Sequence, residues 1–145
     1  MQKKDLSSWF AKGGAVAYFI WALLHFQAAW GVYKLGDSMP PGMASGRVEQ
    51  DAWNLFCFAL CAALTSIFLN WRNDIRGWWI NLAVVSATDI GFIIYILTPG
   101  YTPIWPGILG PLFWAIGFMF STCALVLSHK KQYGKHDNIT KGSIC

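Results

Sequence analysis

Charge is scarce in this chain. Only 12% of its 145 residues are Asp, Glu, Lys or Arg, about half the ~25% of an average soluble domain. So few charges could not cover a water-facing surface around nine Trp, ten Phe and five Tyr. A soluble globular fold of this size is excluded.

Cysteine is sparse and poorly placed for chemistry. No CxxC pair occurs, so a membrane dithiol redox enzyme is excluded; Cys57 and Cys61 lie one helical turn apart, Cys123 sits in an apolar run and Cys145 ends the tail. No cysteine falls in an outer loop, so no structural disulfide is expected. A metal site needs three or four clustered ligands, and a bis-histidine haem needs two histidines. Of His, Asp and Glu, only His25 and Asp89 lie inside the apolar runs, and the cysteines there read as small hydrophobes, so no metal and no cofactor are expected. No cleavable leader is expected either, because the first apolar run is too long and no small-residue cleavage site follows it. Cys145 is not four from the end, which excludes a prenylation box.

What is present is four long apolar runs: Gly13–Val32, Ala52–Leu69, Gly77–Leu97 and Gly107–Leu127. Each approaches the ~20 helical residues that cross a hydrocarbon core of ~30 Å. Backbone amides in lipid need internal partners, which leaves helices or a closed barrel. Runs without period-2 alternation exclude the barrel. The expectation is an all-α integral membrane four-helix bundle, one transmembrane domain over residues 1–145. Its helices are placed at about 13–33, 52–70, 77–97 and 107–128, with a flexible tail over 129–145.

Orientation follows from the flanks. Nine basic residues lie in the N-terminal segment, the second connection and the tail, against two, Lys34 and Arg47, in the other connections. Both termini are therefore expected in the cytoplasm. The bacterial inner membrane, or the endoplasmic reticulum membrane in a eukaryote, is the expected location. The Asn138-Ile139-Thr140 sequon falls in that tail and is expected to be unused. The formal charge of +4 is thus a topology signal, and no nucleic-acid partner is expected. Trp9, Trp71, Trp79, Trp30, Trp53 and Trp105 fall near the run ends, as interfacial belts do, whereas Trp21 and Trp114 do not.

Small residues suggest close helix faces. Ala83, Ala87 and Gly91 recur every fourth residue in the third run, and Gly110, Gly117 and Ser121 mark the fourth.

Asp89 is the one charged-type residue inside a run. A carboxylate at that depth costs at least ~2.5 kcal/mol on insertion scales unless paired or protonated, which makes it a functional candidate. The plainer alternative is a neutral acid bridging helices. His25 is its natural partner, because both lie twelve residues above their inner ends, Gly13 and Gly77, or ~18 Å at 1.5 Å per residue. Counting the other helices back from Asn70 and Ser128 brings Asn54, Cys57 and Trp114 to the same layer, with Trp21 one turn further in. Asp89 and His25 are the candidate catalytic acid/base pair; Trp21, Asn54, Cys57 and Trp114 are the candidate ligand-binding wall.

The expected function is binding of a lipophilic small molecule between the helices, with acid/base chemistry of isomerase or cyclase type through Asp89. The partners are membrane lipid and that molecule. The main alternative is a non-catalytic subunit packed against other membrane proteins; a third is proton-coupled transport, which would need a homo-oligomer.

Overall fold

The computed structural model describes the backbone of residues 3–142 and the side chains of residues 6–129. Among these the chain is all-helical. α1 spans Lys3–Asp37 and α2 spans Met43–Phe68. α3 spans Ile75–Phe92 and continues as a π-helical stretch over Ile93–Leu97. A single turn at Ile104–Gly107 precedes α4, Leu109–Gly142. All four are long and apolar enough to cross a membrane.

The helices overrun the apolar runs, because hydropathy marks the stretch suited to lipid and not the point where backbone hydrogen bonding stops. α1 stops ahead of Pro40-Pro41, which cannot continue a helix. α4 carries helical backbone into the expected tail as far as Gly142. Cys145 and the side chains of the Asn138–Thr140 sequon lie outside the described residues.

α1 is the central element, with two packing faces. One carries buried small residues at every seventh position, Ala15, Ala22 and Ala29, continued by Gly36. α2 answers with Ser45, Ala52, Ala59 and Ser66, also seven apart and all buried. Gly36 sits so close to α2 that a Cβ there would meet the Glu49 side chain at 2.8 Å and the Ser45 carbonyl oxygen at 3.4 Å. A seven-residue repeat keeps one face toward its partner along two left-handedly coiled helices, and small residues let the backbones approach.

The other face of α1 meets α4 in antiparallel register. Ser7 bonds Ser128 at 2.8 Å. Gly14 lies against Ser121, Tyr18 against Gly117, and His25 against Gly110. Each step along α1 is matched by an equal step back along α4, so one register covers the whole seam.

The α2–α3 turn is closed by Asn73, whose left-handed backbone (φ 58°) reverses the chain. Its amide donates to Ser128 Oγ at 2.7 Å and to the Ala124 carbonyl at 3.3 Å, joining the turn to α4. Asp74 caps α3 by accepting from the Arg76 amide. Hydrogen bonds from Arg76 hold the half-buried Asp74 carboxyl down at about 2.

α3 corrects one expectation. Its buried face carries Gly77, Asn81, Val85 and Asp89. Ala83 and Ala87 are exposed, and a Cβ on Gly91 would touch nothing within 4 Å. The four-residue spacing holds, but its phase is shifted by two residues, about 200° around the helix. The helix-four stripe does pack, with Gly110, Gly117 and Ser121 on the α1 seam.

Candidate functional site

Trp21 and His25 sit one turn apart on the α4-facing side of α1. Their rings stack with centroids 3.6 Å apart and planes at 22°. The i, i+4 spacing also lets the imidazole reach back along its own helix, where Nδ1 lies 2.9 Å from the Trp21 carbonyl oxygen. A carbonyl only accepts, so Nδ1 carries a proton and donates. Nε2 is left as the exchanging nitrogen.

Asp89 arrives from α3. Its Oδ2 accepts the Trp21 indole N–H at 2.6 Å. Its Oδ1 has no hydrogen-bond partner and lies 3.7 Å from His25 Nε2. That gap is too long for a direct hydrogen bond. A single oxygen atom could sit ~2.8 Å from both and bond to each. Trp21 thus holds both partners: its indole fixes the carboxylate and its carbonyl fixes the imidazole tautomer.

Gly110 closes the site from α4. A Cβ there would fall 2.9 Å from His25 Cε1 and 3.4 Å from Asp89 Oδ1. Only a residue without a side chain leaves that space open. Gly110 lies in the first turn of α4 and is followed by Pro111, which suits a first turn where amides have no intrahelical acceptor. The positive end of the helix dipole is therefore beside the pair.

Exposure is unequal. Asp89 and Trp21 are 0% exposed, His25 is 8% exposed and Gly110 is half-buried. Of the pair, only His25 keeps any exposed surface.

The structure brings Trp21, His25 and Asp89 together. Trp114 packs on the core cluster that contains Trp21, and its indole N–H donates to Ser86 Oγ at 3.0 Å, one turn below Asp89. Asn54 is exposed and Cys57 is half-buried, and neither bonds to the pair. They share its depth without sharing its direction.

The depth count needs one correction. It brings Trp114 level with His25, whereas Gly110 is there, four residues or ~6 Å nearer the outer end. The reason is Ser128, which lies level with Ser7 and not with Gly13. In the sequence Gly110 signals only packing, and Tyr18 and Asn81, both fully buried, carry no signal as single residues. Alternating steps of three and four along α1 could have found Tyr18, and Asn81 lies two turns below Asp89 on one helix face.

Among the described residues no three His, Cys, Asp or Glu lie together. No protein-family model, curated protein or solved structure matches this chain.

Proposed function

We propose that this protein spans the membrane with both termini in the cytoplasm and binds a lipophilic small molecule carrying one hydroxyl group. The hydroxyl oxygen seats between His25 Nε2 and Asp89 Oδ1. The observation that carries this reading is the unpartnered, fully buried Asp89 Oδ1 aimed at an imidazole 3.7 Å away. A buried polar atom without a partner is costly, and groups held in that state mark sites that act on something.

His25 is the acid/base group, since it is the member with an exposed edge, and Asp89 stands behind it. This exchanges the roles that the sequence suggests. Two acceptors, Nε2 and Oδ1, face each other across a gap too long for a direct bond, so once the pair carries one proton a bridging hydroxyl satisfies both, accepting from one and donating to the other. Such a pair can remove a proton from one carbon of the bound molecule and return it to another. An isomerisation of that kind balances with no co-reactant. The Trp21 face beside the imidazole stabilises positive charge that develops on the way.

The test is native mass spectrometry of gently extracted protein. A lipophile bound one-to-one is expected on the wild type. His25→Phe and Asp89→Asn should each lower its occupancy about tenfold, the loss expected for a hydrogen bond to a charged group. Equal occupancy in all three would overturn the reading. A stoichiometric protein partner with no small molecule would put the subunit alternative in front.

Topology has its own measurement. Single cysteines placed in 35–50 and 99–106 should react with an impermeant reagent from outside, and those in 70–76 only after the membrane is opened. Labelling of 70–76 from outside would reverse the orientation.

A further inference from the structure

Among the described residues, five buried side-chain nitrogen or oxygen atoms lack a hydrogen-bond partner: both amide atoms of Asn70, both of Asn81, and Asp89 Oδ1. They are not scattered. Asn81 and Asp89 lie eight residues apart on the buried face of α3, ~12 Å along its axis. Gly77 is one turn below Asn81 on that face, and it has no side chain where Asn70 packs against it. The five atoms therefore follow one line from the Asn70 turn to the His25–Asp89 pair.

Asn81 is 0% exposed, so its amide meets neither bulk water nor lipid headgroups. Asparagine offers two donors and one acceptor with two lone pairs, and buried polar groups of this kind are bonded in stable proteins. The ligand that suits such a file is small, both donor and acceptor, and able to bond to copies of itself. Water has those properties, and buried water commonly satisfies groups left over by the chain.

We propose that the inward face of α3 is a water-lined proton path, entering at the Asn70 turn and running past Asn81 to Asp89. Val85, fully buried between Asn81 and Asp89, is its narrow point. A proton moves along the path by successive transfers between hydrogen-bonded waters: each oxygen accepts one proton and releases another, and the net result is one proton delivered to Asp89 Oδ1. The path rests on the proposed acid/base pair for its purpose, because it loads the one proton that the pair must hold before the lipophile enters. The approach past His25 is left to the lipophile.

The Trp21 indole proton, bonded to Asp89, reports whether water reaches the end of this line. Protein labelled with nitrogen-15 is placed in lipid nanodiscs and transferred to deuterium oxide, and loss of the indole signals is followed by NMR, with Trp21→Phe assigning its peak. Wild type is expected to exchange Trp21 measurably within hours. Asn81→Leu should slow it about tenfold or more, whereas Asn81→Ser, small and polar, should stay near the wild-type rate. Val85→Phe should slow it as Asn81→Leu does, and it serves alone if Asn81→Leu does not fold. The Trp114 indole, bonded to Ser86, should keep its rate throughout. A wild-type Trp21 proton that persists for days would overturn the path. So would wild-type exchange in Asn81→Leu and Val85→Phe. Lipophile occupancy is read separately by mass, so failure of the path and failure of the binding reading are distinguishable.

Discussion

Asp89→Ala is expected to cost about 2–4 kcal/mol of folding stability, whereas Asp89→Asn should cost less than about 1 kcal/mol. Alanine leaves the fully buried Trp21 indole N–H without its acceptor and His25 Nε2 facing a void. Asparagine keeps a carbonyl oxygen for Trp21 and turns an amide N–H toward Nε2. What asparagine cannot do is hold the exchangeable proton, so ligand occupancy falls while the fold stands. Unfolding in mild detergent, followed through the indole signal, measures the first effect. The pair also predicts non-additivity, since groups that act as a unit fail together. His25→Ala combined with Asp89→Asn should lose little more occupancy than the worse single change. Additive losses would show that the two residues serve separate sites.

Gly117→Leu is expected to cost about 3 kcal/mol or more, at the upper end of core overpacking. A Cβ at Gly117 would lie 3.0 Å from two atoms of the Tyr18 ring, and that ring is 0% exposed. It has nowhere to move, so α4 must retreat from α1 along the seam that also carries Gly110. Gly31→Leu is the matched control, because nothing lies within 4 Å of a Cβ there. Gly91→Leu should be equally silent for the same reason. Parental melting in Gly117→Leu would mean that the seam is looser than its register implies.

The number and place of the long helices could be read from hydropathy, because lipid demands uninterrupted apolar length. Rotation could not be read in the same way. In a soluble helix the polar face marks the outside, but here the outside is apolar too, so Ala83, Ala87 and Gly91 resembled a packing face while pointing away from the bundle. The phase was written instead in two polar residues: Asn81 and Asp89, eight apart, lie on one face of α3, and that face is the buried one.

The candidate pair was legible because α1 and α3 run in the same direction, so equal counts from equal starting points give equal heights. The count failed on α4, whose inner reference point, Ser128, is level with Ser7. It failed for Asn54 for another reason: height says nothing about direction around the helix. Gly110 was visible as a small residue, but its meaning depends on a contact between elements 85 positions apart in the chain, and no local pattern encodes that.

The contribution of Gly110 also fixes an order of assembly. Synthesis proceeds from the N-terminus, so α1 and α2 are complete first, and their seven-residue repeats can lock together at once. Asp89 then arrives and takes the Trp21 indole. Through all of this the imidazole and the carboxylate face an open groove, because α4 is made last. The helix that seals the site supplies no side chain to it at the point of contact. Its arrival closes the notch that Trp21, His25 and Asp89 share, so their arrangement is complete only once α4 has packed against α1.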